Sequence, residues 1–221
     1  MLLVAVLVTT STISGTFAKY VTSDGASDTA RVAKWGVSVT PNGVLFDKQY
    51  NVDDGTYSGT GDKSVVSSDT WNVVAPGTTK SLTEVVITGT PEVATRVTYD
   101  ATVTISNNWI VDGDEYFPVY FTIEGKTYGI AGDCGVDCNV KATSIADLEG
   151  KVEAAIKACK KDYAPNTDFS TVASDFPTVS WAWPFHTSDA NDKKDTKLGD
   201  EAVAEDVFIT VAIATTVEQI D

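Results

Sequence analysis

Histidine, methionine and cysteine are scarce in this chain, and each scarcity excludes a chemistry. Of 221 residues, one is His and one is Met. A common zinc hydrolase sets two histidines one helical turn apart with a glutamate as base, and His186 has no second imidazole to pair with. A serine or cysteine nucleophile would depend on that same imidazole, and no nucleophile elbow is present. We therefore expect no enzyme and no catalytic residue, with His186 an ordinary surface side chain. Three cysteines (Cys134, Cys138 and Cys159) are too scattered for the usual zinc set. In an exported chain they suit one disulfide and one remaining thiol. Sequence does not fix the connectivity, and the simplest pairing, Cys134 with Cys138, closes a small loop. Cations are also short: Lys+Arg 16 against Asp+Glu 31 gives −15 at pH 7, which argues against nucleic acid and anionic membrane surfaces as partners. No apolar run reaches the roughly 20 residues of a membrane-spanning helix.

The longest apolar run, Met1–Ser14, opens the chain without a charge. Thr16 and Ala18 then supply the small residues a signal peptidase needs at minus three and minus one. Residues 1–18 read as an export signal cleaved after Ala18. The first basic residue is Lys19 and Val, Thr and Ile dominate Leu2–Ile13, so a retained N-terminal strand is the alternative. Lys19–Asp28 is a polar, extended leader. Ala30–Thr40 alternates, with Ala33, Trp35, Val37 and Val39 expected on one buried face.

The remainder, 29–221, reads as one all-β domain, a β-sandwich with a single inserted helix. Pro41–Asp69 is a Gly/Ser/Asp-rich surface loop with room for one short hairpin, and Ala75-Pro76-Gly77-Thr78 is a turn with Pro at i+1 and Gly at i+2. Lys80–Thr90, Thr95–Ser106, Tyr116–Glu124, Thr127–Ala131, Thr178–Phe185 and Asp206–Val217 read as strands. Between 144 and 161 the period changes. Ser144 caps, Asp147 sits in the first turn, and Leu148, Val152, Ile156 and Cys159 recur at helical spacing. His186–Glu205 reads as an acidic loop. Trp181 and Trp183 could stack on a sugar, but their spacing of two, shared with Val179 and Phe185, is that of a core-facing strand. Asp53-Asp54, Asp112/Asp114/Glu115 and Asp189/Asp192/Asp195 place oxygens in loops, as Ca²⁺ prefers. None has EF-hand spacing, so we expect solvated turns and no cofactor, Ca²⁺ being the one ion these loops suit.

Several of these segments together carry a family likeness. Gly15–Trp35 (GTFAKYVTSDGASDTARVAKW), Ala75-Pro76-Gly77, Ser180–Phe185 (SWAWPF) with Asp192–Gly199 (DKKDTKLG), and Ile209–Asp221 resemble the TasA/camelysin-type exported proteins, which depend on a SipW-type signal peptidase. The resemblance implies a jelly-roll-like sandwich, an extracellular or cell-surface location, and a structural role in filaments of a biofilm matrix. It also implies donor-strand exchange, in which the leader of one subunit completes a sheet in its neighbour. On that reading Lys19, Tyr20, Val21, Thr22 and Ser23 form the donor strand, with Tyr20 and Val21 filling pockets, and Gly25, Ala26 and Ser27 form the hinge. The partners are then copies of this chain in a head-to-tail polymer, alongside other matrix components. The mature form would touch neither membrane nor nucleic acid. The alternative expectation is a monomeric cell-surface adhesin or carbohydrate-binding module.

Overall fold

The computed structural model describes residues 30–41, 44–51, 63–83, 85–135, 137–201 and 206–220. Lys34–Asp221 makes one compact unit, and Met1–Ala33 groups apart from it. The expected signal, the donor residues Lys19 to Ser23, the hinge Gly25 to Ser27 and the Asp53-Asp54 pair lie outside the described residues.

The strands are β1 (Ser38–Pro41), β2 (Gln49–Asn51), β3 (Lys63–Val66), β4 (Thr79–Thr83), β5 (Val85–Thr88), β6 (Thr95–Ile105) and β7 (Ile110–Val111), followed by β8 (Asp114–Glu115), β9 (Tyr120–Ile123), β10 (Lys126–Ile130), β11 (Val140–Ala142), β12 (Lys161–Tyr163), β13 (Thr178–Ala182) and β14 (Ile209–Gln219). A five-stranded sheet runs β11-β10-β9-β13-β4 and a three-stranded one β12-β6-β14. The pairs β1-β5, β2-β3 and β7-β8 stand apart, and none of these sheets closes. All pairings are antiparallel except β10 with β11. The chain is thus β-rich, and both larger sheets feed one core. Val97, Tyr99, Ala101, Val103 and Ile105 of β6 join Phe121 and Ile123 of β9 and Val179 and Trp181 of β13 in a single buried cluster. Alternation of apolar with Thr, Arg and Asp along β6 is what turns one face inward.

Helix α1 (Ile145–Ala158) forms where the period changes. Ser144 Oγ accepts from the Asp147 N–H at 3.2 Å, Asp147 accepts in turn from the Thr143 N–H, and Lys151 pairs with Asp147 one turn on. Ile145, Leu148, Val152 and Ile156 are the buried stripe. The helix stops at Ala158, short of the expected Lys161, because Lys161–Tyr163 is claimed by β6 as strand β12.

Three expectations are corrected. The stretch 186–205 is not all loop: Asp189–Glu201 is helix α2. A 3₁₀ turn, Phe169–Asp175, adds a third helical element to the one expected. The strand expected over Ala30–Thr40 shrinks to β1, which pairs only with β5. Gly36 sits in the left-handed region (φ 57°) and interrupts the alternation. Val37 packs against the core, while Trp35 and Val39 are exposed. The turn at Pro76-Gly77 forms as expected, Gly77 taking φ 83° as a type II turn requires at i+2.

Candidate functional site

The sequence of β14, ITVAIATTVEQ, is β-branched and apolar on alternate positions and holds one ionisable residue, Glu218. It pairs with β6 along its whole length, from Ile209↔Ile105 to Gln219↔Thr95. Beyond each end the Ser106 N–H donates to the Phe208 C=O and the Ile220 N–H to the Ala94 C=O, both at 3.0 Å. Even-numbered residues of β14 therefore bond to β6. The N–H and C=O groups of Ile209, Val211, Ile213, Thr215, Val217 and Gln219 point the other way. Among the described residues no strand pairs with that edge. Nor does it carry a usual edge-blocking device, such as a proline, a lysine or a bulge.

The same odd-numbered side chains face the core, and they are incompletely covered. Ile209, Val211, Ile213 and Val217 are half-buried, whereas their partners on β6 (Ile105, Val103, Ala101 and Val97) are at most 4% exposed. Thr215 Oγ1 is shielded from solvent without a hydrogen-bond partner. Covering the rest of those four apolar side chains is worth roughly 1 kcal/mol each.

The opposite edge of the sheet is occupied at both ends. β12 bonds to Thr95–Val97, and helix α1 takes over further along. Glu153 Oε1 accepts from the Val103 N–H at 2.9 Å and Glu149 Oε1 from the Ile105 N–H at 2.6 Å. Geometry makes this fit: four helical residues rise about 6 Å, and two strand residues about 6.6 Å. Lys157, the next residue in that series, pairs with Asp100 at 3.0 Å.

At its Phe208 end the open edge runs into an apolar groove of about 1090 Å³, whose lining includes Phe46, Trp71, Trp109, Trp183, Phe208 and Ile209. Trp109 and Trp183 form a buried floor, their rings 5.7 Å apart, while Trp71 (56% exposed) and Phe208 (44%) stand at the rim. The main unit begins, with Lys34, at the other pole. There the Lys34 N–H donates to Glu92 Oε2 and the Glu92 N–H to the Lys34 C=O, two residues before Ala94. The two poles lie the length of β6 apart, on the order of 36 Å.

The other expected sites fare differently. Trp181 and Trp183 are 1% and 6% exposed, so the core reading holds and no sugar platform forms from them. Trp181 Nε1 donates to the Leu45 C=O at 2.8 Å, fastening the 44–51 segment. Cys134 and Cys138 are both buried with Sγ atoms 2.7 Å apart, and Cys159 stands apart from them as a half-buried thiol. Two of the acidic clusters are split by their own bonds. Asp112 pairs with Lys197, and Glu115 accepts the Ile145 N–H. Asp195 leaves Asp189 and Asp192 to accept from the Tyr116 hydroxyl at 2.6 Å. Burial pushes the Asp195 carboxyl above its usual range, and the Tyr116 bond offsets part of that rise. Burial, with the Asp195 contact next, also pushes the Tyr116 hydroxyl well up. His186 is exposed beside Asp189 and Asp192, and its Nδ1 is in hydrogen-bond reach of the Asp192 carboxylate. Sequence reasoning missed α2, although Ser188 at its cap and Asp189 and Asp192 in its first turn were legible as a helix start.

No family model, no curated protein and no solved structure matches this chain. Among the described residues no helix is long and apolar enough to cross a membrane.

Proposed function

We propose that this chain is a non-enzymatic structural subunit of an extracellular filament, built on a jelly-roll-like sandwich and assembled head to tail by donor-strand exchange. The observation that carries the reading is the open edge of β14. A long, almost uncharged edge strand lies above half-covered apolar side chains and accepts an added strand through main-chain hydrogen bonds. The donor is residues 19–23 of a second copy, hinged at residues 25–27; neighbouring side chains of a strand face opposite ways, so Tyr20 and Val21 fill pockets on opposite faces, one of them on the half-covered face beside β14. Polarity supports a chain of subunits rather than a closed pair. The main unit begins at Lys34, held at Glu92, and the open edge ends in the groove at the far pole. A heterologous contact of that kind propagates without closing. The acidic surface, −15 overall, makes subunits repel at low salt, so fibre growth should quicken as salt screens them.

The test is removal of residues 19–28 from the full chain, with negative-stain imaging and sedimentation. Folded monomers are the expected result, and long fibres from the shortened chain would overturn the reading. Trp71 and Phe208 at the groove rim support a second reading, a monomeric surface adhesin that stacks a sugar there. Glycan binding by non-polymerising protein, lost in Trp71→Ala, would select it.

A further inference from the structure

We propose that Cys134 and Cys138 are an oxidisable pair that becomes an intrachain disulfide and staples the β10–β11 crossover, with Cys159 left as a thiol. Three observations meet at this place. The two sulfurs already sit 2.7 Å apart inside the protein. The strand beneath them leaves room for both: a Cβ at Gly129 would lie 2.7 Å from Cys138 Sγ and 3.0 Å from Cys134 Sγ. The loop also makes an unusual connection. β10 and β11 are parallel, a pairing that ordinarily needs a crossover of about a dozen residues or more, yet only residues 131–139 join them.

The stapled loop is also the seat of α2. Asn191 Nδ2 donates to the C=O groups of Gly132 and Asp133, each at 3.3 Å, and Asp133 Oδ2 accepts from the Phe117 N–H. Gly135 lies so close to Thr187 that no side chain fits there. Because α2 supplies Leu198 and Gly199 to the groove beside β14, fixing the loop also fixes one wall of that groove. Cys159 takes no part: its Sγ donates to the Ala155 C=O on the outer turn of α1.

The reaction is exchange with an external disulfide. One cysteine thiolate attacks it and releases a thiol, and the second cysteine then attacks the mixed disulfide and releases another. One S–S bond forms and one breaks, the two cysteine protons pass to the two released thiols, and the two electrons go to the external disulfide. The neighbouring Cys134 sulfur, and burial after it, push the Cys138 thiol up, so attack is slow in the folded protein and closure belongs to folding.

The full-length chain, refolded from denaturant with oxidised and reduced glutathione, tests this. An intact mass about 2 Da lower is expected, as two hydrogens are lost, with Cys159 alone alkylated and a melting temperature roughly 4–8 °C above the reduced form. Cys159→Ser should behave identically, and Gly129→Ala, which sets a methyl against both sulfurs, should yield less closed product. A bridge to Cys159, stable glutathione adducts on Cys134 or Cys138, or no rise in melting temperature would overturn the proposal. Because fibre growth is not the readout, failure here is separable from failure of the filament reading.

Discussion

Val103 and Ile105 on β6 and Val211 and Ile209 on β14 are cross-strand partners on one apolar face, yet the two edges of their sheet are finished differently. On the β6 side, carboxylates four residues apart on α1 take the outward amides of Val103 and Ile105, and β12 pairs with Thr95–Val97. On the β14 side the outward amides have no described partner and the side chains beneath them are half-covered. A bare edge is therefore not forced on this sheet, since the same sheet engages its other edge at both ends. In the proposed filament α1 guards one edge against unwanted pairing, which leaves β14 as the edge where a donor pairs.

The largest effect should come from blocking the open edge. Thr215→Pro removes an outward N–H and sets a ring where an added strand would lie, while the ladder to β6 uses the even-numbered residues. Fibres should vanish with the melting temperature almost unchanged. Moving the proline by one residue, Thr216→Pro, removes an N–H on the β6 side and should cost about 1–3 kcal/mol of stability by denaturant titration. Equal loss of stability in both variants would break the even–odd distinction.

Opening the edge that α1 engages is the next test. Glu149→Ala and Glu153→Ala each remove a charged acceptor from a strand amide, at about 1.5–3 kcal/mol apiece. The double variant should also associate laterally, giving light scattering without ordered fibres. If it stays monomeric and stable, α1 does not guard that edge. Smaller still is Phe208→Ala, which should loosen fibres at the groove rim while shifting monomer stability by no more than about 0.5 kcal/mol.

The smallest effect is a pH dependence. Because burial raises the Asp195 carboxyl, the folded chain keeps a proton there that the unfolded chain releases once pH passes the ordinary value of about 4. Asp195's contribution to stability therefore falls as pH rises through that window. Asp195→Asn keeps an acceptor for Tyr116 without the charge and should flatten this part of the profile. An unchanged profile would contradict the assignment.

Much of the fold was legible. β6, β9, β13, β14 and α1 announce themselves through period, and Ser144 marks the helix start. Helix α2 did not, since Leu198 is its only buried apolar side chain and its other buried anchors are Asn191 and Asp195. A helix held by polar side chains has no stripe to read. The strand expected at Trp35 failed because Gly36 breaks the alternation, which depends on tertiary fit to β5 rather than on pattern. Of the site, the sequence left the cysteine connectivity open, with Cys134 and Cys138 the simplest pairing, and the proposed donor rests on residues 19–23. The acceptor edge could not be seen, because nothing in ITVAIATTVEQ says which strand will lie on either side of it.

Residue-resolved hydrogen exchange on β14, in monomer and in fibre, tests the central claim most directly. In the monomer the amides of Thr210, Ala212, Ala214 and Thr216 should be protected and those of Val211, Ile213, Thr215 and Val217 should exchange quickly. In the fibre both sets should be protected. Odd-numbered amides already protected in the monomer, or still open in the fibre, would contradict it.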